Sequence, residues 1–280
     1  WCLQLLIILN FKRMKYLYLL IALSVLSSCE DVINLPLEEG PKKLVIDANI
    51  NWEKGTDGKE QSIRLTETAG FYESVAPIAT GASVKITGNN QETIFTEDGD
   101  TGIYKSSNFN PKINEEYTLQ VVYNSETFTA SEILNSVTAI TGVEQSIESF
   151  FGNEAVRVDF YYTDPITEGN YYLEEFGSSV SYLNSYRVSR DEFINGNENS
   201  GFEINEDLIA GETLTFRLYG ISKNYHNYVS LLLAQIQDGG PFATPPAAVL
   251  GNCENETHPD NKPLGYFRLS EFVEETYNIQ

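Results

Sequence analysis

The chain has 280 residues and a formal net charge of −22, with 18 Lys and Arg against 40 Asp and Glu. A surface this acidic repels phosphate backbones and anionic headgroups, which excludes nucleic-acid binding as a function class. Only three cysteines are present, so the fold must be held by a core rather than by disulfides, and 17 Tyr with a single Met suit strands better than helical bundles.

In chain order, the first readable element is a leader. Met14-Lys15 gives a basic start, Tyr16 to Val25 an apolar stretch, and Leu26-Ser27-Ser28-Cys29 a site of small residues ending in cysteine. This pattern reads as a bacterial lipoprotein signal, cut before Cys29, with lipid on that sulfur. The apolar run is too short for a transmembrane helix, which needs roughly 20 residues, and no Ala-x-Ala-like site marks an ordinary secreted protein. Residues 1–13 precede Met14 and are read as translated upstream sequence, with Met14 the true start. Residues 1–28 are thus leader and signal peptide. Attachment is expected through more than one acyl chain, since a single chain binds only marginally. Residues 29–42, broken by Pro36, Gly40 and Pro41, form a tether with a reach of up to ~40 Å when extended.

Residues 43–135 carry short runs with period-2 alternation. These are Leu44–Ile50, Ser62–Thr66, Ala82–Thr87, Gln91–Thr96, Ile103–Lys105, Tyr117–Tyr123 and Thr127–Ser131. Gly88-Asn89-Asn90 reads as a hairpin turn, and Glu97 to Gly102 as another. The acids of that second turn resemble the start of a calcium loop, but its terminal bidentate Glu is missing. Seven short strands at hairpin spacing predict a β-sandwich.

Residues 136–280 continue in the same style. Ala155–Tyr162, Asn170–Phe176, Val180–Val188, Thr213–Tyr219 and Leu264–Leu269 are strand-like, and the polar stretch Asp191–Gly201 reads as a loop. One helix is expected over 222–238. Ser222 caps it, Tyr225, Val229, Leu232 and Ile236 fall on one face, and Gly239-Gly240-Pro241 stops it. That apolar stripe is expected to pack on the second sandwich. The fold class is therefore mainly β, with two immunoglobulin- or fibronectin-like β-sandwich domains, the second carrying a helix insertion.

Several motifs then carry a resemblance. The cysteine site with Cys29-Glu30-Asp31-Val32-Ile33 is followed by Leu44-Val45-Ile46, Tyr225-His226-Asn227-Tyr228 and Gly239-Gly240-Pro241-Phe242. Gly251-Asn252 and Leu264-Gly265-Tyr266-Phe267 complete the series. In order and spacing they resemble a family of Bacteroidota lipoproteins known as domain of unknown function 4249, over essentially the whole mature chain. The resemblance implies an outer-membrane lipoprotein encoded beside a TonB-dependent receptor, and it brings no catalytic residues. The chain departs from the commoner Gly-rich form of the last motif, with Asn252-Cys253-Glu254-Asn255 before a charged loop.

The chemistry of individual residues adds little. His226 and His258 have no nucleophile-elbow motif beside them, the spacing around His258 matches no zinc motif, and neither a phosphate loop nor a dinucleotide fingerprint is present. Neither catalytic nor metal-ligating residues are assigned, no cofactor is expected, and the chain is read as a non-enzyme. Its expected partners are a TonB-dependent outer-membrane receptor, the membrane through the lipid anchor, and an unknown small ligand, glycan or peptide. A surface adhesion or structural module is the second reading and a hydrolase acting on a surface polymer the third. Binding is placed on the long polar loop 252–263, at Glu254, Glu256, His258 and Asp260, with Phe242 and Tyr266 flanking it in sequence. Cys253 is expected to be a semi-buried structural thiol.

Overall fold

A computed structural model describes residues 40–150, 153–236 and 248–280. The strands are β1 (Leu44–Glu53), β2 (Gln61–Glu67), β3 (Ser83–Gly88), β4 (Gln91–Glu97), β5 (Ile103–Ser106), β6 (Glu116–Tyr123), β7 (Glu126–Ile133), β8 (Ile140–Phe150), β9 (Asn153–Thr163), β10 (Tyr171–Ser178), β11 (Ser185–Arg190), β12 (Glu198–Asn205), β13 (Thr213–Ile221), β14 (Glu254–Asn255) and β15 (Leu264–Asn278), with helix α1 over Lys223–Ile236. The architecture is mainly β, as the sequence predicts. Twelve strands form one curled sheet in the order β11-β10-β13-β15-β1-β2-β5-β4-β3-β6-β7-β14, and β12-β9-β8 form a second, three-stranded sheet.

The alternation seen in sequence determines which side chains meet. Ile46, Ala48 and Ile50 of β1 point inward with Ile63, Leu65 and Tyr104, against Val84, Ile86, Phe95, Leu119, Val121 and Phe128 from the far side of the curl. β4 pairs with both β3 and β5, so it carries the sheet around the core. A second core packs Val158, Phe160 and Tyr162 of β9 against Tyr172, Phe176, Leu214, Phe216 and Leu218. Both bodies are sandwiches, with apolar faces inward.

Turn chemistry fixes the registers. Asn89 and Asn90 both adopt positive φ (48° and 57°), as do Asn124 and Ser125 (49° and 65°). Each pair joins two antiparallel strands by a two-residue loop, a geometry whose twist matches the strands it connects. In the β4–β5 turn, Asp98 pairs with Lys105 at 2.6 Å, and Glu97 accepts from the backbone N–H groups of Gly81 and Gly102.

The expected domain boundary near residue 135 falls between β7 and β8, and two later strands cross it: β14 pairs with β7, and β15 runs along both bodies. β15 pairs in parallel with β1 from Leu264 to Phe272, then antiparallel with β13 from Phe272 to Asn278. Its Phe267 and Leu269 enter the first core, while Val273 and Tyr277 flank the second. Glu271 locks the crossing point: it pairs with Lys54 at 3.0 Å and accepts from the Val137 N–H at 2.9 Å. Residues 41–280 thus form one compact unit with every strand pair internal.

Two sequence readings are corrected. Asp191–Gly201 is not one loop: after a single turn of 3-10 helix at Asp191–Phe193, residues 198–205 form β12, which pairs with β9. Its polar residues are there for cross-strand bonds, Asn199 to the Tyr162 hydroxyl at 2.8 Å and Ser200 to Asp159 at 3.0 Å. Gly201 serves packing, because a Cβ there would sit 2.8 Å from the Phe216 ring. The helix stripe is buried only along its first half. Tyr225 and Val229 are covered, whereas Ile236 is 78% exposed. Ser222 caps α1, accepting from the Tyr225 N–H at 3.2 Å. The expected stop at Gly239-Gly240-Pro241 lies outside the described residues, and among those described no helix is long and apolar enough to cross a membrane.

Candidate functional site

The entry to β15 is built by Gly251, Asn252 and Gly265. The Asn252 side chain acts as a piece of strand: its Nδ2 donates to the Phe267 carbonyl and its Oδ1 accepts from the Phe267 N–H, both at 2.9 Å. Gly265 has φ +89°, and a Cβ on it would lie 2.1 Å from the Ile46 carbonyl oxygen. A Cβ on Gly251 would overlap the Gly265 carbonyl at 1.6 Å. These close approaches explain why that motif needs glycine. They also fix the register that places Arg268 opposite Asn49.

Alternation along β15 sends Phe267 and Leu269 into the core and leaves Tyr266 and Arg268 on the outer face, beneath α1. Tyr266 packs there against Tyr225 and Tyr228, with ring centroids 4.9 Å away in both cases, and donates its hydroxyl to Glu132 at 3.2 Å. The tyrosines of two separate sequence motifs therefore meet in one cluster. Burial raises the Tyr228 hydroxyl to about 12. His226 turns its ring edge-on to Tyr171 at 5.2 Å, and burial lowers its pKa.

Between α1 and this sheet face lies a cleft of about 500 Å³. One wall is apolar: Val229, Leu232, Leu233 and Ile236 of the helix. The floor is polar. Glu175 of β10 accepts from the Tyr219 hydroxyl at 2.6 Å, from Asn184 at 2.5 Å, from Arg217 at 3.2 Å and from Tyr186 at 3.4 Å. Burial, and the bond to this carboxylate, push the Tyr219 pKa up. Arg217 is paired a second time, with Glu274 at 2.5 Å.

Arg268 is different. It is 4% exposed and lines the cleft, and among the described residues no carboxylate lies within ion-pair distance of it. Its Nε donates to Asn49 Oδ1 at 3.0 Å and its Nη2 to Asn51 Oδ1 at 2.6 Å. The guanidinium also sits over the rings of Tyr219 and Tyr225, 4.8 and 5.2 Å from their centroids. Nη1 is buried without a partner among the described residues. Neutral amides and aromatic faces thus make the direct contacts of this buried cation, and the nearby Asp47 carboxylate acts on it only through space, a costly arrangement for a fold alone.

The residues proposed from sequence are placed as follows. Cys29 and Phe242 lie outside the described residues. Glu254, Glu256, His258 and Asp260 are all exposed, on a segment stitched to the edge of the first sandwich, where β14 pairs with β7. Glu256 accepts from Thr129 at 2.9 Å, and buried Asn255 organises the loop by accepting from the N–H groups of Thr257 and His258. Tyr266 is buried under α1, and no metal-holding group forms among the described residues. Cys253 is buried in the first core, and burial pushes its thiol up to about 12. Arg268, Glu175 and the two asparagines were not singled out from sequence.

A family model described as Domain of unknown function (DUF4249) matches residues 30–276. No curated protein matches. Among solved structures, a two-domain fibronectin type-III segment of chicken tenascin is similar at 12% identity, covering 66% of this chain and 92% of that one, with a TM-score of 0.21. The first three fibronectin domains of chicken CNTN1 are similar at 10% identity, covering 63% of each chain, with a TM-score of 0.25. Likenesses this distant carry nothing about function.

Proposed function

The chain belongs to the DUF4249 family, a domain of unknown function, and on that premise we propose that it is a lipid-anchored outer-membrane binding protein of the Bacteroidota type whose ligand site is the cleft under α1. In this reading it assists a TonB-dependent receptor in nutrient capture or uptake. The observation that carries the reading is the cleft itself. An apolar wall faces convergent polar groups across about 500 Å³, which is the usual make-up of a small-ligand site. The site Leu26-Ser27-Ser28-Cys29 supports the anchor, and the family match begins one residue past Cys29. A binding role rather than a hydrolytic one is supported by the floor acid. Glu175 is held by four donors, so its lone pairs are committed to the scaffold rather than free to act as a base.

The test is purification of the tagged full chain from its own membranes in mild detergent. A TonB-dependent receptor should come with it, and Cys29→Ala should release the chain from the membrane. Recovery without any receptor, together with unchanged membrane attachment of the variant, would sink the proposal.

A second reading, a surface adhesion module, draws on the loop between β2 and β3, where Phe71 and Val75 are 77% and 74% exposed. Loss of partner-cell binding on Phe71→Ser with intact uptake would favour it.

A further inference from the structure

We propose that the cleft under α1 takes a monocarboxylate carrying an aliphatic chain, with Arg268 as the seat of the carboxylate; this rests on the reading of the cleft as the ligand site. A guanidinium has five donors and no acceptor, so the Oδ1 atoms of Asn49 and Asn51 must be the ones that face it. Those two asparagines orient the group but bring no charge. Asp47, the next outward-facing residue of β1, accepts from Asn49 and acts on Arg268 through space without a direct ion pair. Nη1 has no partner among the described residues. The guanidinium therefore lacks a directly bonded carboxylate and an acceptor for Nη1, and a ligand carboxylate supplies both in the planar form that matches a guanidinium.

Charge favours a monoanion. Arg217 is already paired with Glu175 and Glu274, so Arg268 is the one arginine of the cleft lining without a bonded carboxylate. A single negative charge matches it, whereas a phosphate dianion would place an excess beside Glu175. The other half of the ligand follows from the opposite wall. Val229, Leu232, Leu233 and Ile236 offer branched aliphatic side chains without a hydrogen-bonding group, and Ile236 is exposed at the rim with Leu232 half-buried beside it. An alkyl chain running along α1 covers them, while the carboxylate reaches the floor.

The test is calorimetric titration of the 41–280 chain with octanoate, octan-1-ol and acetate. Octanoate should bind in a 1:1, saturable manner, about tenfold or more tighter than either octan-1-ol or acetate. Arg268→Met should remove that preference, with octan-1-ol binding kept within about twofold of wild type. Should Arg268→Met fail to fold, Ile236→Glu serves instead. It alters an exposed position, so melting should be unchanged while octanoate binding weakens about tenfold. If octanoate and octan-1-ol compete for the cleft with equal affinity, the cleft is a ligand site but the carboxylate assignment is overturned. If neither binds, the cleft reading itself falls. Unchanged octanoate affinity in Ile236→Glu overturns the placement of the chain.

Discussion

Asn252 and Phe267 exchange two hydrogen bonds of 2.9 Å, one in each direction, between a side-chain amide and a backbone peptide. An amide has the donor and acceptor of a peptide group, so Asn252 stands in for a strand neighbour at the point where β15 begins. One residue further on lies Arg268. The register of a buried cation thus depends on a side chain in the preceding loop.

Asn252→Ala should therefore cost about 1–3 kcal/mol, because the Phe267 N–H and C=O lose their partners together. Urea denaturation of the 41–280 chain measures it. A midpoint equal to wild type would show that β1 alone sets the register.

The two halves of α1 should respond differently to truncation. Val229 is 8% exposed and packs with Tyr225 and Tyr266, so Val229→Ala should cost about 1.5–2.5 kcal/mol through its buried methyl groups and the space they leave. Ile236→Ala should stay within about 0.5 kcal/mol. Thermal melts of both variants separate the cases, and equal losses would mean that the helix is seated along its whole length.

Glu174 gives a pH-dependent outcome. Its carboxyl is buried beside Tyr162 and Ser189, and burial raises its pKa against the opposing effects of the Ser189 bond, Arg187 and the Tyr162 bond. Below the ordinary carboxyl range both folded and unfolded chains hold the proton, and no penalty arises. Above it the unfolded chain ionises first, so this group's contribution to stability falls as pH rises until the folded carboxyl ionises as well. Glu174→Gln keeps an acceptor oxygen for both hydroxyls and removes the titration. It should stabilise the fold more at pH 7 than at pH 4 in paired melts. An equal effect at both pH values would show that the carboxyl is already ionised in the fold at pH 4.

Much of the fold was legible because alternation and turn residues are local signals. Ile46, Ala48 and Ile50 announce an inward face, and Gly88-Asn89-Asn90 announces a hairpin. β12 was hidden because Asn199, Ser200 and Gly201 have turn composition, yet each answers to a partner distant in sequence: Tyr162, Asp159 and Phe216. The last nine residues of β15 were hidden by an acidic run whose pairing with β13 is equally non-local. The cleft was illegible for the same reason, since Asn49, Glu175, Arg217 and Arg268 come from four strands. One trace of it was present. Arg268 stands inside the apolar run Tyr266-Phe267-Arg268-Leu269, and a cation in a strand flanked by core residues must find neutral partners or an anion. The acidic loop Glu254–Asp260 drew attention by its composition, whereas the structure gives its buried Asn255 the task of tying the loop to β7.

The central claim is that binding occurs under α1. Methyl-labelled 41–280 protein, titrated with a mixed library of small acids, alcohols and sugars and followed by NMR, tests it most directly. The account predicts that binders shift the methyl signals of Leu173, Val229, Leu232, Leu233 and Ile236 and leave Ile94 and Ile133 of the first sandwich unmoved. Shifts confined to the first sandwich beside the Glu254–Asp260 loop, or none under α1 with any compound, would contradict it.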